Sequence, residues 1–492
     1  MPYILAIDQG TTATKAALAD GQGRLRAVAQ CELIQHYPHP GWVEMDAHAI
    51  WRSVLAAAQE ALARAGADAE EIIAVGVSNQ GESVLAWDAA TGDPLYPVIT
   101  WQCTRTAARC QELSTPPTQK LIRQRTGLVP DPYFSASKLQ WLLEHVPAVR
   151  AARAQGTLRM GTLDTWLLWR LSGGRIYATD WSTASRTMLF DVRSLDWDDD
   201  LLVLFGVPRE LLAAPRPSGA LYGTTDPVAF LGIAAPLAAS AVDQPAALWG
   251  HGCFRAGELK ITYGTGAFLL MHAGTAFRLS AHGLLTSLAA SRTGEPPAYY
   301  LDGGIYSVGT AIQWLRHSLG VLHDVAESGA LAASLPDNGG VYFVPALVGL
   351  AAPHWDRQVR GAFLGLTSAA IRAHLVRAVL EAIAFRVYEV VQAMEDDARV
   401  PIPEVRADGG VTRNDWLMQF QADLLQRPVW RARQGEMTAL GIAQLAGATV
   451  GFGAAEAPQV AWDVFAPGEG AAQAAAAFVH WQDAMRAARS FC

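Results

Sequence analysis

At 492 residues the chain is too long for a single hydrophobic core and calls for two or more domains. Hydrophobic residues make up 51% and charged residues 17%, an ordinary globular composition that excludes a disordered chain. A formal net charge of −8 implies no basic face, so a nucleic-acid partner is not expected. Cys31, Cys103, Cys110, Cys253 and Cys492 are scattered, odd in number and without metal-ligand spacing, which points to reduced thiols in a cytoplasmic protein. No apolar run approaches the ~18 residues of a membrane span. The sequence reaches Asp8 before any signal-like apolar core, so no secretion signal is expected.

The first predicted unit is a hairpin. Tyr3 to Ile7 is a buried apolar strand, Asp8-Gln9-Gly10-Thr11-Thr12 turns the chain, and Ala13 to Ala19 returns. The turn offers hydroxyls, backbone N–H groups and Lys15 to an anionic phosphate, and Asp8 can hold a hydrated divalent cation. Arg24 to Tyr37 continues as strand. Asp46 caps an alanine-rich helix over Ala47 to Ala65. Ile72 to Val77 is a continuous apolar run of the buried parallel type. It ends at Ser78-Asn79-Gln80-Gly81-Glu82, the position where open α/β sheets place their ligands. Val84 to Trp87 and Val98 to Trp101 are further strands, and a helix containing Arg105 follows. Asp131 to Ser135 opens a helix carrying Lys138, Trp141 and Leu142, and Gly161 to Asp164 opens a Trp-rich one. Arg186 to Phe190 reads as strand and Leu211 to Gly223 as loop.

Asp243-Gln244 follows the apolar stretch Pro236 to Val242 and precedes a helix. A carboxylate there suits a general base that takes a proton from a substrate hydroxyl. It equally suits a helix cap, a role that Pro245 in the first turn favours; the two are compatible. The second half repeats the opening: Leu259 to Met271 is a strand, a Gly264-Thr265-Gly266 turn and a strand. Two glycine–threonine hairpins on two halves suggest two similar domains clamping one phosphate chain. Gly309 through Leu315 reads as helix, Val341 to Val344 as strand, Ala373 to Ala398 as a long helix and Val405 to Ala407 as strand. The turn Asp408-Gly409-Gly410 then precedes a helix from Asn414. Its N–H groups either face a nucleotide or simply serve a turn that needs glycine. Glu82, Trp101, Tyr133 and Phe268 offer a hydroxyl acceptor and aromatic walls to a polyol, or are ordinary core and interface residues.

These stretches resemble the FGGY family of carbohydrate kinases along nearly the whole chain, and within it the glycerol-phosphorylating members most. The matching segments are Ile7–Thr12, Tyr37–Asp46, Trp101–Thr106, Thr126–Lys138, Ala184–Asp191, Thr262–Gly266, Asp408–Asp423 and Glu436–Ala443. Both signature regions of the family are recognisable, at Tyr133 to His145 and Gly361 to Glu381.

The resemblance implies an α/β fold of two domains, each of the actin/hexokinase/Hsp70 ATPase (ribonuclease H-like) type, with the active site in the cleft between them. Residues 1–252 would form the N-terminal, acceptor-binding domain and 253–492 the C-terminal, nucleotide-binding one. It implies ATP and Mg2+ as cofactors, with Asp243 as general base and Asp8 and Asp243 near the metal. Thr11, Thr12, Ala13, Lys15, Thr265, Gly309, Gln313, Gly410 and Asn414 would contact the nucleotide. Gly81, Glu82, Trp101, Tyr133, Asp243, Gln244 and Phe268 would line the polyol pocket. A homo-oligomer, dimer or tetramer, is expected.

The sequence departs from the family pattern at three places. Lys15 stands where arginine is usual, keeping the charge but losing the fork. Gly81 stands where the glycerol-phosphorylating members carry an arginine that donates to the acceptor. Loss of a buried charged donor weakens binding by roughly 1.5–3 kcal/mol unless another group, such as Arg105 or Gln102, replaces it. The expected reaction is phosphorylation of a primary hydroxyl of glycerol, with erythritol, threitol, xylitol or xylulose as the alternative that Gly81 opens. A nucleotide-dependent regulatory protein on the same fold is the other class, disfavoured by Asp243 together with Glu82 and Tyr133. Finally, the glycine–threonine–arginine loop that binds fructose 1,6-bisphosphate in some members is absent from Gly232 to Pro236, so inhibition by that ligand is not expected.

Overall fold

A computed structural model describes residues 1–453 and 460–491. The first sheet starts from the predicted hairpin, β1 (Tyr3–Gln9) and β2 (Ala13–Ala19), continued by β3 (Leu25–Glu32). The three are antiparallel neighbours. Helix α1 (Ala47–Ala65) begins where Asp46 accepts from the His48 N–H and stops at Gly66 in the left-handed region. It lays Ile50, Trp51 and Val54 against the sheet. Strand β4 (Ile72–Asn79) then pairs parallel with β1 on one side and with β6 (Pro236–Val242) on the other; the short β5 (Gly223–Thr224) closes the edge. A strand flanked by two others and covered on both faces has no solvated side, hence its unbroken apolar run.

The second sheet repeats this plan. Strands β7 (Leu259–Tyr263), β8 (Ala267–Gly274) and β10 (Tyr299–Ile305) form an antiparallel meander, edged by β9 (Leu285–Leu288). Strands β11 (Val405–Asp408) and β12 (Val429–Ala432) add in parallel beside β7, and β13 (Trp462–Phe465) closes antiparallel. Both sheets are therefore a three-stranded meander whose first strand carries two parallel strands on its far side.

Between the two sheets in sequence lies helix α2 (Asp243–Gly250), which continues directly from β6. Later come α3 (Gly309–His317), the long α4 (Arg372–Ala398), α5 (Asp415–Leu425) and α6 (Met437–Val450). Helix α6 belongs to the second half of the sequence but packs on α2 and on β1, β4 and β6 of the first sheet. Alanines and glycine make this close approach possible. A Cβ on Gly441 would lie 1.9 Å from the Ala246 carbonyl oxygen, so the two helix backbones are in contact.

Some local expectations are corrected. Arg105 precedes its helix, which spans Ala107–Leu113. The strand expected from Arg186 is reduced to Phe190–Asp191, because Arg186 sits in a turn following the helix Trp181–Ala184. Leu211 to Gly223 is not all loop: Ala214–Arg216 pairs with Ala178–Asp180. The strand from Arg24 stops at Glu32. Cys31, Cys103, Cys110 and Cys253 are free thiols, and Cys492 lies outside the described residues. Among the described residues no helix is long and apolar enough to cross a membrane.

Candidate active site

The polar residues singled out in the sequence gather at the carboxyl ends of β1, β4 and β6, because these three strands are parallel and in register. Asp8 lies opposite Ser78, and Val242 opposite Asn79. Asp8, the Gln80–Glu82 segment and Asp243 thus emerge side by side. Asp243 is the first residue of α2, and its Oδ1 accepts from the Gln244 N–H at 2.7 Å; Val242 takes the cap position. Burial holds the Asp243 carboxyl above its ordinary value, and the Lys260 ammonium pulls it back. Burial, with the Asp243 charge adding, pushes Asp8 up to about 7.

The wall expected from the sequence to receive the acceptor is built from buried charge. Glu82 sits at φ 59 in a three-residue turn closed by the Ser83 N–H donating to the Gly81 carbonyl. That conformation is sparsely populated for a residue with a side chain and is held here by its surroundings. Arg186 Nε donates to Glu82 Oε1 at 2.6 Å, while its Nη1 reaches Asp302 Oδ2 at 3.0 Å and Ser287 Oγ at 3.1 Å. The guanidinium carbon lies 5.5 Å from the Tyr133 ring centre and 5.3 Å from that of Phe134. Tyr133 meets Trp101 edge-on at 5.6 Å. The Trp101 indole N–H donates to Thr11 Oγ1 at 2.9 Å, tying this wall to the first hairpin. Lys138, fully buried, donates to the Tyr133 carbonyl at 2.7 Å; burial lowers its ammonium to about 8. Gln244 is held from the other half: Lys260 on β7 donates to its Oε1 and to Thr262 Oγ1 at 3.1 Å. Phe268 lies on β8, directly opposite Thr262.

Gly81 is buried, and the room beside it is not empty. A Cβ there would lie 3.0 Å from Val242 Cγ1. Of the two candidate replacements for a donor at this position, Arg105 is engaged elsewhere through its donors and Gln102 through its amide oxygen. Arg105 pairs with Glu44 at 2.6 Å under the Trp42 ring, and Gln102 accepts from Gln35 at 2.5 Å.

The nucleotide-side residues present mostly backbone and small polar groups. Gly264, Thr265, Gln313 and Gly410 are exposed, as is Thr12 across the cleft; Ala13 is partly so. Gly409 sits at φ 96, and a Cβ on it would lie 2.3 Å from the Tyr263 carbonyl oxygen, so glycine is required. The Gly309 N–H is already bonded to the Gly264 carbonyl at 3.0 Å, which locks the start of α3 against the second hairpin. Asn414 caps α5 through the Leu417 N–H at 3.0 Å and donates to Ser328 Oγ at 3.1 Å. Lys15 Nζ reaches Glu436 Oε2 at 2.6 Å, bridging the first hairpin to the residue before α6. Burial alone would lower the Lys15 ammonium; Glu436 more than offsets it.

Arg186, Lys260, Lys138 and Glu436 contact the expected site residues and Asp302 holds Arg186, and reading the sequence for motifs missed them. Lys260 did leave a signal, being a charge set between Leu259 and Ile261 in a strand-like run, where an unpaired charge is not tolerated. Among the described residues no group of three or more His, Cys, Asp or Glu side chains is arranged to hold a metal alone. Asp8 and Asp243 form a pair, and magnesium commonly takes one or two carboxylates with phosphate and water completing its shell. After burial, the Asp243 charge is the next cause that raises Asp8, and such a cation would neutralise it.

Residues 3–250 match the N-terminal domain model of the FGGY family of carbohydrate kinases, and residues 259–450 match its C-terminal domain model. A glycerol kinase of Symbiobacterium thermophilum is 47% identical over 99% of this chain and 99% of its own length. The crystal structure of Plasmodium falciparum glycerol kinase with ADP has a TM-score of 0.91 and 30% identity, covering 99% of this chain and 98% of that one. A ligand-bound xylulose kinase of Lactobacillus acidophilus shares the fold, with a TM-score of 0.87 at 21% identity over 100% of both chains.

Proposed function

The chain belongs to the FGGY family of carbohydrate kinases and is an ATP-dependent sugar or polyol kinase, and from that premise we propose that it phosphorylates a primary hydroxyl of glycerol to give glycerol 3-phosphate. The observation that carries the reading is the placement of Asp243. It is the first residue after β6, beside Glu82 and Gln244 on the acceptor side and beside Asp8, itself next to Lys15, on the phosphate side.

In this reading residues 1–252 bind the acceptor and residues 253–492 the nucleotide. Asp243 accepts the proton of the primary hydroxyl as its oxygen attacks the γ-phosphorus in line and ADP departs. Its raised affinity for a proton, caused by burial and limited by Lys260, suits a base that must take one and later release it. Glu82 accepts from an acceptor hydroxyl, Gln244 offers an amide whose orientation Lys260 holds, and Trp101, Tyr133 and Phe268 wall the carbon edge. Thr11, Thr12, Ala13 and Lys15 meet the phosphates, with Lys15 exchanging Glu436 for phosphate oxygen. Thr265, Gly309, Gln313, Gly410 and Asn414 line the nucleotide side. Mg2+, held through Asp8 and Asp243, would supply charge neutralisation of the phosphates. A cytoplasmic homo-oligomer, dimer or tetramer, completes the proposal.

The test is a coupled ADP-release assay with magnesium-ATP and, in turn, glycerol, erythritol, threitol, xylitol and xylulose. Glycerol with the highest kcat/KM is the expected result. A longer acceptor winning by tenfold or more would transfer the assignment to that acceptor.

A further inference from the structure

We infer that Arg186 is an acceptor-site residue, which orients Glu82 through Nε and donates from Nη2 to a hydroxyl of the bound polyol. The inference rests on the polyol reading above. Gly81 offers no side chain, and Arg105 and Gln102 are held by other partners. Arg186 is the guanidinium that touches Glu82, and its side chain is 3% exposed. Desolvating a guanidinium this completely is costly unless it is paired and hydrogen-bonded. Nε and Nη1 meet that need through Glu82, Asp302 and Ser287. Nη2 has no hydrogen-bond partner among the described residues, although it belongs to a rigid, planar fork whose other donors are fixed. A hydroxyl of a small polyol is the group that completes it.

The same contacts explain why the donor comes from a distant turn. Glu82 follows β4 in the first half, while Asp302 and Ser287 lie on β10 and β9 in the second. Arg186 therefore joins the acceptor carboxylate to the second sheet, and the pocket is complete only when both halves are in place. At position 81 itself a side chain would press on Val242, which would have to give by a few tenths of an ångström.

The test compares glycerol with propane-1,2-diol and propane-1,3-diol, each lacking one hydroxyl, on wild type, Arg186→Met and Arg186→Lys. A site built to hydrogen-bond a hydroxyl rejects the analogue without it. Wild type is expected to favour glycerol over at least one diol by about tenfold or more in kcat/KM. Arg186→Met is expected to lose roughly that factor on glycerol and little on that diol, with the KM for ATP within about twofold. Arg186→Lys keeps the charge beside Glu82 and is expected to recover turnover without full discrimination. Equal losses on glycerol and both diols would mark a merely structural arginine and overturn the inference alone. If Arg186→Met does not fold, Asp302→Asn removes one anchor of the fork, and a reduced discrimination is expected; discrimination unchanged from wild type overturns the inference. Wild type turning over none of the three would overturn the glycerol reading and this inference with it.

Discussion

The two walls of the cleft are built on opposite principles. On the proposed acceptor side Glu82, Arg186, Lys138 and Lys260 are charged and almost fully buried; Glu82 and Arg186 are tied to each other across 104 positions, while Lys138 holds the nearby Tyr133 carbonyl and Lys260 the Gln244 amide. On the nucleotide side Gly264, Thr265, Gln313 and Gly410 are small or flexible, uncharged and exposed. The difference fits the ligands proposed for the two walls. A small polyol is neutral and must be recognised by a few directed hydrogen bonds in a dry pocket, so its partners have to be fixed beforehand. A triphosphate brings its own charge and is met by backbone N–H groups and turns, which need glycine rather than buried charge. Substitutions on the acceptor wall should therefore act on chemistry and selectivity, and those on the nucleotide wall on backbone shape.

The sharpest test of the acceptor wall is Asp243→Asn. Loss of a general base costs on the order of 10²–10⁴ in kcat, read in a coupled assay. An Asn variant within tenfold of wild type would remove Asp243 from the proton transfer. On the opposite wall, Gly409→Ala forces a Cβ to within 2.3 Å of the Tyr263 carbonyl oxygen at φ 96. Strain and overpacking together should lower stability by roughly 2–4 kcal/mol and weaken ADP binding, read by thermal melting and calorimetry, while the KM for the acceptor stays put. A rise in the acceptor KM alone would break the proposed division between the walls.

Buried charge also predicts a pH signature. The Lys138 ammonium has its ordinary value near 10.5 when unfolded and is lowered to about 8 in the fold by burial. Between these values the unfolded chain binds more protons, so stability rises with pH. Relative to Lys138→Met, wild type should gain up to about 3 kcal/mol in urea unfolding as pH is raised from 7 to 10. A flat difference would show that Lys138 is not held as a desolvated charge. The smallest effect concerns position 81. Gly81→Arg alone meets Val242 and should lose about tenfold in kcat/KM for glycerol; adding Val242→Ala should recover most of it. Simple additivity of the two changes would show that Val242 does not fill that space.

Much of this was legible in the chain itself. Both hairpins, the buried strand from Ile72, the Asp46 cap and the helix start at Asp243 depend on residues within about ten positions of one another, and apolar periodicity and turn chemistry report such local choices. The strand expected at Arg186 failed for the converse reason. Thr187 to Phe190 has strand-like residues, but Arg186 is drawn into a turn by partners up to 116 positions away. The candidate replacements Arg105 and Gln102 were plausible by proximity in sequence; in space Arg105 is committed to Glu44, and the Gln102 amide oxygen to Gln35.

What the sequence by itself determined is the pair of repeated hairpins, the glycines their turns and loops require, and the carboxylates set at strand ends; these follow from local sterics and from which residues can be left in water. Which charges are buried together was decided by the tertiary structure alone. Arg186 is buried with Glu82 and Asp302, Lys260 with the Gln244 amide, and the half-buried Lys15 meets Glu436; these pairs form only when the two sheets and α6 come together. An isolated charge is stable in water and costly in the interior, so its partner is chosen by the packing that removes the water.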